Sequence, residues 1–212
     1  MSGKAVMRNW CIAFATTAIM VGVCIAYVDR PTAEFFDAHL RPTAAWAWMD
    51  RALAPLDLTV VMALLFVLGC VISAGSGRLL PLWTRTPRLC SWAALCATVA
   101  SLVFKRIFGR AQPDPEFVQN HLYGFRLLHG GPHWNSFPSG TAMISVAIVS
   151  VLWILQPRWR ASGILIAALL CVAVVITNFH WVGDVIAGTF LGAFIGWMTV
   201  RVATPDERRK ST

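Results

Sequence analysis

Three short polar stretches carry residue types that bind and cleave phosphate esters: Lys105–Pro113 (KRIFGRAQP), Phe137–Thr141 (FPSGT) and His180–Asp184 (HWVGD). Lys105, Arg106 and Arg110 crowd three cations into a single short segment. A guanidinium offers phosphate oxygens a two-pronged donor, an ammonium a point charge. Phe137–Thr141 reads as a turn entering a helix, with Pro138 fixing φ, Gly140 relieving crowding and Ser139 or Thr141 capping. An ordinary N-cap accounts for that pentapeptide by itself. The free N–H groups of a helix start also form an anion cradle, strengthened by the helix dipole. His180 and Asp184 stand four residues apart, so on a continuous helix they share a face. The carboxylate can then hold one imidazole nitrogen as N–H and leave the other as a nucleophile. A lone interfacial histidine is commonly structural; an acid at this spacing favours catalysis. No ligand set has metal-binding spacing, and no metal or other cofactor is expected.

These stretches interrupt a very apolar chain of 212 residues, 57% hydrophobic and 13% charged. That composition excludes a soluble domain and fits one integral membrane domain of the all-α class. Six apolar runs, about 10–28, 58–75, 89–104, 141–156, 162–179 and 184–201, approach the ~20 residues of a spanning helix. The expected architecture is a bundle of six transmembrane helices plus interfacial amphipathic helices. The six cysteines fall in apolar runs without a CxxC pair and read as packing residues.

Six spans put both termini on one side. The loops of that side collect eleven of the 18 basic residues but two of the ten acidic ones. The positive-inside rule makes that side cytoplasmic. The net charge of +8 is then topological and calls for no nucleic-acid partner. All three polar stretches fall on the opposite face at one depth. Lys105 follows the third run, Ser139 and Thr141 open the fourth, His180 closes the fifth and Asp184 opens the sixth. Ionisable groups at membrane depth are rare without a function. Snorkelling anchors, the alternative for basic residues at a helix end, favour the cytoplasmic end. Phosphate contact is therefore preferred for Lys105 and Arg110, while Arg106 stays even between the two.

Residues 29–57 are amphipathic, with Phe35, Phe36, Trp46, Trp48 and Met49 among charges. They read as one or two helices on the outer membrane surface, with anchoring preferred over a lid or lipid-entry wall. Trp10, Trp83, Trp134, Trp159, Trp181 and Trp197 fall near run boundaries, as an aromatic belt does.

Over about 105–184 the chain resembles the type 2 phosphatidic acid phosphatase superfamily, whose bacterial members are six-helix lipid phosphatases. Its three motifs run Lys, six residues, Arg-Pro; Pro-Ser-Gly-His; and Ser-Arg, five residues, His, three residues, Asp. Lys105, Pro113, Pro138, Ser139, Gly140, His180 and Asp184 match, and Gly109-Arg110 stands where many members carry Gly-Arg. The resemblance implies that His180 attacks phosphorus to form a phosphohistidine and that Asp184 orients it. It assigns phosphate binding to Lys105, Arg110 and the Ser139–Gly140 turn. Three positions depart. Gln112 stands for the motif-one Arg, Thr141 for the general-acid His, and Ala173-Val174 for the Ser-Arg pair. By position Gln112 and Thr141 stay in the expected phosphate-binding set. The loop before the fourth run carries His121, His129, His133 and Arg126. His133 is expected to serve as substitute acid or phosphate ligand, with a solvated loop histidine the equal alternative.

The implied setting is a bacterial inner membrane, with cytoplasmic termini, a periplasmic site and a membrane lipid phosphate or diphosphate as partner. Two function classes stay open. One is an enzyme that removes or transfers a headgroup phosphate; the other is a non-catalytic relative that binds or moves a lipid phosphate. Binding alone has no use for an oriented nucleophile, so the enzyme is preferred. Oligomeric state is not encoded.

Overall fold

The structure, a computed structural model, describes residues 3–53, 65–66, 84–128, 131 and 133–204. Helix α1 (Gly3–Val23), a π-helical segment (Cys24–Val28) and α2 (Asp29–His39) run on as one helix of 36 residues from Lys4 to His39. There follow α3 (Ala44–Leu53), α4 (Arg85–Phe108), α5 (Gly140–Leu155), α6 (Arg160–Ile176) and α7 (Val182–Ala203). The described residues hold no strand beyond an isolated bridge pairing Arg110 with Phe125. The all-helical expectation therefore stands.

Four of these helices, Lys4–His39, Arg85–Phe108, Pro157–Ile176 and Val182–Ala203, are long and apolar enough to cross a membrane. Helix α5 is equally apolar but has 16 residues, and the expected span 58–75 lies outside the described residues apart from 65–66. The outward faces are apolar: Ile19, Val99, Leu165 and Leu169 are each more than half exposed, as suits a lipid solvent. This is a multi-pass membrane protein.

Residues 29–53 do form two helices, and the first of them differs from a separate surface helix. Asp29–His39 is the continuation of the first helix, and its inward side, Asp29 and Ala33, is buried. Residues 44–53 form a separate helix against α6, and 54–57 lie outside the described residues. The reason is a charge: Asp29 is drawn to Arg110 in the interior, which ties this stretch to the bundle.

Helix α5 is the hub, packed by α4, α6 and α7. Met143, Ala147 and Val151 on α5 are fully buried against Leu89, Ala93 and Ala97 of α4, and Ala142 packs with Val174 of α6 and Val185 of α7. Helix α7 meets α5 through Gly188, Gly192 and Gly196, a four-residue repeat of small residues that lets the two backbones touch. A Cβ at Gly192 would run into the Met143 carbonyl, and one at Gly188 would stand 2.5 Å from the Ser139 carbonyl. Gly192→Val should therefore destabilise the fold by about 1–3 kcal/mol or more, because the obstacle is backbone and cannot rotate aside. A thermal midpoint in detergent equal to wild type would contradict this close approach.

Candidate active site

Four chain turns bring the polar residues together. Gly109 ends α4 in the left-handed conformation (φ 51°), its N–H bonded to the Lys105 carbonyl, and turns Arg110 inward. Helix α6 ends in a Schellman motif: Asn178 takes the left-handed position (φ 56°), with Asn178 N–H bonding Val175 O and Phe179 N–H bonding Val174 O. That stop leaves His180 on the turn before α7. Ser139 caps α5, its hydroxyl accepting from Ala142 N–H at 3.3 Å, while its own N–H donates to the Asp184 carbonyl at 3.0 Å. The long loop after Gly109 is stitched down by its backbone, with Ser136 N–H on Arg110 O and Gln112 N–H on His133 O.

His180 and Asp184 do meet, though not on a shared helix face. Asp184 sits in the first turn of α7, and its Oδ2 lies 3.8 Å from His180 Nδ1, beyond hydrogen-bond length. Ser136 fills the gap. Its hydroxyl donates to Asp184 Oδ2 at 2.5 Å and stands 3.4 Å from His180 Nδ1. Asp184 Oδ2 also accepts the Trp181 N–H, and Oδ1 accepts Arg110 Nη1 at 2.5 Å. With Nδ1 on that side, Nε2 is the ring nitrogen left for a reaction. Burial pushes the His180 imidazole below its ordinary value; Asp184 opposes the shift and the Lys105 charge adds to it. The ring is therefore neutral near pH 7, the form a nucleophile requires.

His180 lines a cavity of about 800 Å³ between α4, α5 and α6. At its polar end stand Lys105, Gln112, Asn135, Gly140 and Thr141. Lys105 Nζ lies 3.7 Å from where a Cβ on Gly140 would be, and Ser101 Oγ lies 3.1 Å from the same point. Only glycine leaves that passage open. Gln112 Nε2 donates to Asn135 Oδ1 at 2.8 Å, and both residues line the cavity. Beyond this end the walls are apolar, formed by Leu102, Ile144, Ile148, Ile166, Leu170 and Val174.

Two residues of the expected site, Arg110 and His133, have other settings. Arg110 is fully buried and does not line the cavity; Nη1 is paired with Asp184 and Nη2 with Asp29 at 2.6 Å. His133 is exposed and is not part of the cavity wall, and Arg106 is likewise exposed. His129 lies outside the described residues. Trp181, expected in an interfacial belt, is 1% exposed and packs against Arg110, Tyr123 and Phe117, with its Nε1–H on the Ala111 carbonyl. Its position marks the interior of the site, because it roofs a buried cation.

Residues 88–208 match the family model of the PAP2 superfamily. The chain belongs to that superfamily. It is 34% identical over 100 residues to a lipid A 1-phosphatase of Rhizobium johnstonii, a match covering 47% of this chain and 41% of that protein. It is 34% identical over 115 residues to an undecaprenyl-diphosphatase of Sulfolobus acidocaldarius, covering 54% and 53%. The chain thus spans about half the length of the curated relatives it matches. The fold is like that of a crystal structure of a PAP2 type phosphatidylglycerolphosphate phosphatase from Bacillus subtilis, with TM-score 0.58, 16% identity and coverage of 94% of this chain and 98% of the other.

Within this PAP2 protein, sequence reasoning missed four residues around the His-Asp pair: Ser136, Asp29, Tyr123 and Asn135. Asp29 had a signal, a carboxylate directly after an apolar run, at the depth where ionisable groups demand partners. Ser136 had none; a serine three positions before a cap is unremarkable until its hydroxyl is seen between imidazole and carboxylate. Val174, where the superfamily motif has Arg, forms apolar cavity wall and its carbonyl receives the N–H groups of Phe179 and His180.

Proposed function

We propose that this protein is a membrane phosphatase that cleaves lipid diphosphates through a phosphohistidine at His180, on the face opposite its termini. One observation carries the reading: a buried histidine, buttressed by Ser136 and Asp184, stands at the polar end of a cavity whose remaining walls are apolar and lie between membrane helices. Lys105 supplies positive charge there, and the start of α5 leaves the Gly140 and Thr141 N–H groups for an anion. The headgroup binds at this end and the hydrocarbon chain lies along the apolar walls.

In the first step His180 Nε2 attacks the terminal phosphorus. The N–P bond forms, the P–O bond to the lipid breaks, and the leaving oxygen keeps the electron pair. The Nδ1 proton stays on the ring, held toward Ser136 and Asp184. Water then attacks phosphorus, the N–P bond breaks with its electron pair returning to Nε2, and both water protons leave on inorganic phosphate as dihydrogen phosphate.

The substitutions select the leaving group. Thr141 stands at the superfamily's acid position, and a hydroxyl does not release a proton near neutral pH. General acid catalysis is worth roughly 10²–10⁴-fold for a poor leaving group. A lipid monophosphate expelled from a diphosphate is a good leaving group and needs little of it. Purified protein in detergent should therefore release phosphate from polyprenyl diphosphate at least about tenfold faster than from polyprenyl monophosphate or phosphatidic acid. Equal rates would refute the leaving-group argument. Release that requires a second lipid acceptor would make the protein a phosphotransferase, the outcome in which that lipid replaces water. Binding of every lipid phosphate without release would establish the non-catalytic reading that Gln112 and Thr141 favour.

A further inference from the structure

The proposed reaction uses His180 and Asp184, yet the interior holds a second shielded carboxylate, Asp29, 1% exposed on the first helix. Its Oδ2 pairs with Arg110 Nη2 at 2.6 Å, and its Oδ1 accepts the Gly183 N–H at 3.0 Å. Arg110 Nη1 in turn holds Asp184. Tyr123 closes the arrangement: its hydroxyl accepts from Arg110 Nη2 at 3.1 Å and donates to the Ile25 carbonyl at 2.8 Å. Gly183 has no room for a side chain here, since a Cβ would stand 3.2 Å from Asp29 Oδ2 and 3.6 Å from Arg110 Nη1.

Charge is the reason such a construction matters. Arg110 and Asp184 alone form a neutral pair, and a guanidinium that spends its full charge on Asp184 takes it from His180. A second carboxylate on Arg110 leaves the cluster of Asp29, Arg110 and Asp184 with one net negative charge beside the imidazole. During attack His180 becomes positively charged, so fixed negative charge there is stabilising at the moment it is needed.

We infer that Asp29 is a positioning residue for His180 chemistry: by neutralising and holding Arg110, it keeps the charge of Asp184 directed at the imidazole. The inference rests on the reading of His180 as the nucleophile. Among the described residues, the groups that act on His180 are Asp184 and Ser136, at its Nδ1, and the Lys105 charge. Those around Asp29 are Arg110, the Gly183 N–H, Cys24, and Tyr123 with Arg30 over its ring at 5.1 Å.

The test is a titration of His180 by NMR in full-length, histidine-labelled protein in detergent, with the His180→Ala spectrum assigning the resonance. Asp29→Asn should move the His180 midpoint down by about one unit, because the cluster loses its net negative charge. The double variant Asp29→Asn/Arg110→Gln removes one charge of each sign and should return the midpoint toward wild type. A role confined to packing predicts neither shift. A wild-type midpoint in Asp29→Asn, or a double variant titrating as low as the single one, overturns the inference. If Asp29→Asn does not yield folded protein, Asp29→Glu decides: an unchanged midpoint supports the charge role and a lowered one overturns it. No substrate is needed, so a titration that behaves as stated in a protein that releases no phosphate would sink the phosphatase reading alone. Where turnover is measurable, Asp29→Asn should lower kcat about tenfold with KM unchanged.

Discussion

His180→Ala should abolish phosphate release from every lipid diphosphate, a fall of roughly 10⁴-fold or more, while the protein keeps its wild-type thermal midpoint. The size of the effect follows from the role. Removing a nucleophile takes away the covalent route itself, and what survives is the background from phosphate binding by Lys105 and the α5 start. The fold should tolerate the change because the ring lines a cavity and its side-chain polar contacts are long, 3.4 Å to Ser136 and 3.8 Å to Asp184. A ³²P-labelled substrate should leave an acid-labile, base-stable label on wild-type protein and none on the variant. The same histidine fixes the acid limb of the pH profile. Attack requires the neutral ring, so activity is lost as pH falls through the folded-state value. Burial holds that value below the ordinary 6.5, so activity should persist at pH 6.5 and decline only below it. An acid limb well above 6.5, or label retained in His180→Ala, would place the nucleophile elsewhere.

Arg110→Met should destabilise the protein by about 3–5 kcal/mol and remove activity as well. A buried ion pair is weak support for stability as a whole, because desolvating both partners offsets their attraction. Removing one partner is a different matter, since the charge left behind stays desolvated. Here two carboxylates lose their cation together, Asp29 and Asp184, each with a side chain fully shielded from solvent. The guanidinium is also framed by the rings of Tyr123, Phe125 and Trp181, at 5.6, 5.2 and 5.2 Å from its carbon. Methionine would fill much of that volume, so the loss would report charge rather than packing. Thermal unfolding in detergent measures it. A midpoint within a degree or two of wild type would mean that the carboxylates are protonated or hydrated without Arg110, and the fixed-charge view of this cluster would fall with it.

Much of the fold was legible because hydropathy is a local property. The runs expected at 141–156, 162–179 and 184–201 correspond to helices Gly140–Leu155, Arg160–Ile176 and Val182–Ala203. The run at 89–104 is longer in the structure, Arg85–Phe108, because basic residues with long aliphatic stems continue a helix at either end of an apolar run. The turn reading of Phe137–Thr141 also agrees with the structure, since a Pro-Ser-Gly sequence before an apolar run specifies a cap through its own side chains. Residues 29–39 misled for the same reason that the others succeeded. Their amphipathic pattern is that of a surface helix, and nothing local states that Asp29 finds a cation 81 residues away.

What the sequence by itself determined was the helical class and which polar residue types stand at the ends of the apolar runs. Lys105, Gln112, Gly140, Thr141 and His180 all reach one cavity. Tertiary structure alone decided who partners whom. It turned Arg110 from the cavity toward two carboxylates, put Ser136 between His180 and Asp184, and left His133 in solvent. Partner choice is a matter of through-space approach between segments distant in sequence. In a low-dielectric interior the nearest opposite charge wins, whatever the local motif suggests.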